Sequence, residues 1–146
     1  MLIDARCPSM LALAPSDDAL ADAVTWLTGL CLRDGWPAPD SLAATLVLEE
    51  ALTNILKHGL ASPAQEHAGL VRLRFARGCG IAALRIMDNG PPFDPLAAQP
   101  RPHARSLEQA RPGGQGLRLM RHYTRAMRYR RRHGQNELTL FFQPGR

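Results

Sequence analysis

Lysine is almost absent from this chain: Lys57 is the only one among 146 residues. No G-x-x-x-x-G-K-[ST] phosphate loop can therefore be built, and the kinase set of a strand lysine with an H-R-D loop is missing too. No G-x-S-x-G elbow and no H-E-x-x-H helix occurs. Cysteine is scarce as well. Cys7, Cys31 and Cys79 are odd in number and far apart, with no C-x-x-C spacing. That pattern argues against a zinc site and against a disulfide framework, and leaves buried, reduced thiols as the expectation. No apolar run approaches the roughly 18 residues of a membrane span. Asp4 and Arg6 precede a short apolar stretch, Met10–Ala14, that runs into Pro15. This is a poor secretory signal, so a cytoplasmic protein without a membrane is expected. Aromatic residues make up only 5% of the chain, and no helix-turn-helix or RNA-binding signature appears. A basic nucleic-acid binder is therefore the remote reading.

What is present is an ordinary globular composition, 45% apolar and 21% charged. The length predicts one domain, residues 1–146, and a chain of this size buries roughly 68–70% of its unfolded surface without a staple. The net charge of +5 hides an asymmetry. Residues 1–66 hold nine acids and three bases, and residues 67–146 hold four acids and fifteen bases.

Residues 2–14 read as one or two strands broken near Pro8. Ser16-Asp17-Asp18 opens a helix whose first-turn acids suit the dipole, and Gly35 and Pro37 stop it after Arg33. A second helix is expected after Pro39, capped by Asp40 or Ser41 and ending at Gly59. Ala61–Ala68 reads as a loop. Leu70–Arg77 alternates, with Val71, Leu73 and Phe75 opposite Arg72 and Arg74. Gly78-Cys79-Gly80 turns it into a return strand, Ile81–Asp88. Asn89–Pro112 is proline-rich and aperiodic, and a loop of that length is usually functional or mobile. A helix from about Gln115 to Thr124 and a final hairpin, Ala126–Arg132 and Glu137–Phe142 around a His133–Asn136 turn, complete the chain. Hairpins with helices between them predict an α+β, two-layer sandwich: a mostly antiparallel mixed sheet covered on one face by about three helices.

Three segments carry candidate chemistry. Along Leu46–Gly59, helical spacing puts Glu50, Asn54 and His58 in one stripe opposite Leu48, Leu52 and Ile55. Alone, this fits a solvated helix face equally well. In Asp88-Asn89-Gly90-Pro91-Pro92-Phe93-Asp94-Pro95, Asp88 shares strand parity with Leu84 and Ile86, so its carboxylate faces the helix-covered side and needs a donor there. A turn-capping role is the plainer alternative. In Pro112-Gly113-Gly114-Gln115-Gly116-Leu117-Arg118-Leu119-Met120, glycines lead into a helix N-terminus, which suits phosphate or an ordinary cap.

In this order and spacing the three segments resemble the N, G1 and G2 boxes of GHKL (Bergerat-type) ATP-binding domains. This is the group of gyrase B, the MutL repair proteins and histidine kinases. The wording is most like the anti-sigma-factor serine kinases of the RsbW and SpoIIAB type. The resemblance covers the chain from about residue 15 onward. It implies ATP and Mg²⁺ as cofactors, with Asn54 as the metal ligand and Glu50 as catalytic general base. It implies that Asp88 accepts the adenine amino proton and that Gly90 lets the base approach. Gly114, Gly116 and Leu117 would hold the phosphates through their backbone, with Arg111 nearby as a phosphate contact. Leu96–Pro112, with Arg101, Arg105 and Arg111, would form a lid. Pro92 stands where many relatives carry a second glycine, Gln115 stands at an often apolar position, and His58 takes no role from the match.

The implied function is an Mg·ATP-dependent serine protein kinase acting on an anti-anti-sigma (STAS-type) partner, with a sigma factor as a further partner. The alternative is a non-catalytic ATP/ADP-binding module that sequesters a partner. A homodimer stays open. The arginines of the strands, Arg72, Arg74, Arg85, Arg128, Arg130 and Arg132, are expected on the open sheet face.

Overall fold

A computed structural model describes residues 8–59, 70–97 and 114–146. The expected loop at 61–68, Cys7, and residues 98–112 of the expected lid lie outside this set. The described elements are the strands β1 (Ser9–Leu13), β2 (Val71–Gly78), β3 (Ile81–Asp88), β4 (Ala126–Arg132) and β5 (Gln135–Phe142), and the helices α1 (Ala19–Arg33), α2 (Ala38–Asn54) and α3 (Gly114–Tyr123). The strands form one sheet in the order β1-β2-β3-β5-β4. Every pairing is antiparallel, so the sheet is not mixed. For two of the four pairs the cause is local: β2–β3 and β4–β5 are tight hairpins, which only antiparallel strands can form.

Both hairpins close through two residues with positive φ. Cys79 and Gly80 stand at 51° and 75°, and His133 and Gly134 at 49° and 75°. Paired positive φ values match the right-handed twist of the flanking strands. The final turn is therefore shorter than the sequence suggests, and β5 begins at Gln135. That brings Asn136 into the sheet instead of leaving it in a turn.

Alternation then separates two faces. Leu73, Leu84, Ile86 and Leu140 are buried beneath α1, α2 and α3, where they meet Leu27, Val47, Leu48, Leu52 and Met120. Removing each such side chain from water contributes about 1.5–3 kcal/mol. Arg72, Arg74 and Arg128 project from the opposite face.

Helix ends follow the chemistry of their sequences. α1 stops in a Schellman motif: Gly35, at φ 68°, donates to Leu32 O at 3.1 Å, and Trp36 donates to Cys31 O at 3.0 Å. The Asp34 carboxylate, almost wholly buried, pairs with Arg33 Nε at 2.9 Å and Arg77 Nε at 3.4 Å, tying this end to β2. Trp36 wedges between Phe75 and Phe142, with ring centroids 6.0 and 6.1 Å away. α2 begins earlier than expected. Pro37 is its N-cap and Pro39 sits in its first turn, where a missing N–H costs nothing, so Asp40 lies inside the helix rather than capping it. Its far end also differs from expectation. After Asn54 the chain winds as a π turn, Ile55–Gly59, instead of continuing as α-helix. Such turns are rare and cluster at functional sites.

Candidate functional site

Asp88 ends β3 on the covered side of the sheet, as its parity with Leu84 and Ile86 requires, and is buried. A carboxylate in that position needs donors. Gly90 N–H supplies one at 2.9 Å, and Asn136 Nδ2 supplies another at 3.0 Å. Both reach Oδ1. Among the described residues, Oδ2 receives no hydrogen bond. Asp88 also lines a narrow crevice between the layers, with a cavity volume of only about 20 Å³, together with Ala51, Asn54, Phe93, Met120 and Leu138. The walls are mostly apolar, so an acceptor with an open lone pair is the chief polar feature at that wall. It can take a hydrogen bond from a flat molecule carrying an amino group.

Asn136 organises this wall. It lies opposite Asp88 in the β3–β5 register and is buried. Its Nδ2 donates to Asp88 and to Pro91 O at 2.9 Å. Its Oδ1 accepts from Tyr129 Oη–H at 2.6 Å, from Arg131 Nη1 at 3.0 Å and from Phe93 N–H at 3.4 Å. Arg131 Nη1 also reaches Gly90 O at 3.0 Å. One amide thus ties β3, β4, β5 and the Gly90–Phe93 loop together. The doubled proline of that loop limits its freedom, and the Asn136 bonds fix what remains. Sequence reasoning assigned Asn136 to a turn and passed over Tyr129 and Arg131. The signal was available: Asn136 has the same parity as Leu138, Leu140 and Phe142, and a polar side chain on an apolar face requires partners.

The opposite wall comes from α2. Asn54, in its last turn, is half-buried and lines the same pocket as Asp88. Glu50 lies one turn earlier, also half-buried, against the first turn of α3. There Gly116 approaches so closely that a Cβ on it would stand 2.5 Å from Glu50 Oε2 and 3.4 Å from Cδ. Glycine at 116 therefore makes room for the carboxylate as well as freeing the backbone. Gly114 is the first residue of α3, so the helix N-terminus starts two residues before the Gly116–Glu50 contact. Leu117, the residue after Gly116, is buried in the core and can offer a ligand only its backbone.

The structure thus brings Asn54 and Asp88 onto one pocket and Glu50 onto Gly116. Gly90 is buried at Asp88. Arg111 and the His58 side chain lie outside the described residues. The backbone of His58 belongs to the π turn. Among the described residues, no cluster of three or more His, Cys, Asp or Glu side chains is placed to hold a metal ion. Asn54 alone fits only a cation that arrives with most of its ligands, as Mg²⁺ on phosphate oxygens and water does. Among the described residues no helix is long and apolar enough to cross a membrane.

A fold of antiparallel sheet under three helices, with an Asn–Asp pocket between the layers, defines a class of nucleotide-binding proteins. The histidine kinase-like ATPase domain family model matches residues 13–142, and the chain belongs to that family. It is 42% identical over 130 residues to the serine/threonine-protein kinase BtrW of Bordetella bronchiseptica, a match covering 89% of each chain. A solved structure of the RsbU and RsbW domains of Rv1364c from Mycobacterium tuberculosis superimposes on 96% of this chain with a TM-score of 0.67. At 16% identity that likeness concerns the fold, and this chain spans 33% of the solved one. The resemblance to GHKL domains of the anti-sigma kinase type is therefore sound, and the family's name implies use of ATP.

Proposed function

We propose that the chain is an Mg·ATP-dependent serine protein kinase of the anti-sigma type, whose substrate is a serine on an anti-anti-sigma partner, with a sigma factor as a second partner. The observation that carries this reading is Asp88. Its Oδ1 is held by Gly90 and Asn136, while Oδ2 has no donor among the described residues, and Asp88 lines a mostly apolar pocket. That is the acceptor an adenine amino group requires. Asn54, across the pocket, is the ligand for Mg²⁺, which when bound neutralises triphosphate charge. The start of α3 at Gly114 offers backbone N–H groups to the phosphates.

Glu50 takes the catalytic role. It removes the proton from the substrate serine hydroxyl as Oγ bonds to the γ-phosphorus, the bridging bond to ADP breaks, and ADP leaves. Positioning and charge neutralisation account for most of such catalysis. The name of the Bordetella relative supports the kinase over a pure binding module.

The test uses ATP labelled on its γ-phosphate and candidate serine-bearing partners. Wild-type protein transfers label to one of them, and Glu50→Ala keeps nucleotide binding but loses transfer. Binding without transfer to any partner supports the sequestering module instead. Loss of ATP binding in Glu50→Ala contradicts the role given to Glu50.

A further inference from the structure

The sheet face opposite the pocket carries a charge pattern that the nucleotide reading does not use. Strand alternation places Arg72, Arg74, Arg85, Arg128, Arg130 and Arg132 on it, against one acid, Glu137. The register puts Arg74 directly opposite Arg85, then Arg85 opposite Thr139, and Thr139 opposite Arg128. Thr139 is nonetheless buried, as the aliphatic stems of flanking arginines would make it. Glu137 is taken by Arg130. Among the described residues the other five arginines have no ion-pair partner. Like charges directly opposite on one sheet face destabilise it. The folded chain alone gains nothing from the Arg74–Arg85 pair.

Beside this row lies a depression of about 290 Å³ lined by Ala76, Ile81, Ala83 and Phe141 together with Arg125 and Arg128. We propose that this face docks an acidic protein segment, a helix presenting carboxylates around one large apolar side chain. Opposed strand residues stand about 4.5–5.5 Å apart. Carboxylates at i and i+4 of a helix stand about 5–6 Å apart, close enough to meet Arg74 and Arg85 together. The apolar side chain enters the depression.

Other occupants fit less well. Sheets that read single-stranded nucleic acid stack bases on exposed aromatic residues. Phe141 is the one aromatic side chain of this face among the described residues, and it is half-buried in the lining of the depression. Met10, opposite Arg74, is the one large apolar side chain that projects from this face among the described residues, too little for a membrane surface. A second copy using the same face would set arginine against arginine. Because the nucleotide pocket lies on the other side of the sheet, the segment and ATP bind together.

The experiment measures fluorescence anisotropy of a labelled helical peptide with Glu at i, i+4 spacing around a single Leu. Controls are the same peptide with Leu replaced by Ser, a 20-nucleotide single-stranded DNA, and vesicles containing phosphatidylglycerol. The acidic peptide with Leu is expected to bind at least tenfold more tightly than the Ser version, with or without Mg·ATP. The Arg74→Gln/Arg85→Gln variant is expected to lose at least tenfold of that affinity while melting no lower than wild type. Equal binding of the Ser peptide, tighter binding of DNA or vesicles, or an unchanged affinity in the double variant would overturn the proposal.

Discussion

Asn136 Nδ2 donates to Asp88 Oδ1 across the β3–β5 pair at 3.0 Å, and this bond sets which oxygen of Asp88 stays open to the pocket. The remaining bonds of Asn136 run to Pro91, Phe93, Tyr129 and Arg131. Asn136→Ala would strand several of these partners at once. Each buried group left unsatisfied costs about 1–3 kcal/mol. The variant is expected to melt well below wild type and to bind ATP more weakly even at temperatures where it is folded. Thermal melts with and without nucleotide check both effects. Asn136→Asp is the sharper variant: its carboxylate cannot donate to Asp88 and repels it.

Gly116 faces Glu50 with no room for a methyl group. In Gly116→Ala the Glu50 carboxylate must swing away, because it is the flexible partner of the contact. Serine phosphorylation is expected to fall at least tenfold while ATP affinity changes little. Single-turnover transfer and equilibrium binding, measured side by side, separate the two. Equal loss in both would point to damage to α3 itself.

These two residues also mark what was legible in the sequence. Hydrophobic alternation located β2 and β3 to within a residue, because a one-sided sheet leaves a period of two. The boxes around Glu50, Asp88 and Gly114 pointed to the family, because each box needs particular residue types at a fixed spacing. Asn136 escapes the sequence pattern because composition does not show that the turn holds only His133 and Gly134. The π turn after Asn54 was missed because α and π winding differ in hydrogen bonding that composition does not reveal. The closeness of Gly116 to Glu50 joins residues 66 positions apart, and only the packing of α3 on α2 creates it.

The His133–Gly134 turn offers a stability test remote from the site. His133 holds φ at 49°, a conformation that costs most L-residues roughly 1–2 kcal/mol and that asparagine tolerates better. His133→Asn, giving an Asn-Gly turn, is expected to raise the melting temperature by a few degrees, consistent with a gain of up to about 1 kcal/mol.

Cys31 is buried beside Asp34, and burial first, with the carboxylate adding to it, raises its thiol above the ordinary 9.0, partly offset by a hydrogen bond with Ser41. The folded state therefore holds this proton more tightly than the unfolded one. Its contribution to stability is complete below about pH 9 and declines as pH rises above that. Melting curves of wild type and Cys31→Ala are expected to converge as pH rises from about 8 to about 10. In a Cys7→Ser background at neutral pH, a thiol reagent should modify exposed Cys79 well before Cys31.

The role of Asp88 is tested most directly by calorimetry of Mg·ATP binding to wild type and Asp88→Asn. An asparagine can still accept from Gly90 and Asn136 through its oxygen, so the loop stays anchored. Its NH₂ then faces the pocket, where a ligand amino group would meet a donor instead of an acceptor. One such mismatch is worth about 1–3 kcal/mol, or roughly 5- to 150-fold in affinity. Mg·ATP is expected to bind wild type and to bind Asp88→Asn at least fivefold more weakly, with both proteins equally folded. No binding to wild type, or equal binding to both, would contradict it.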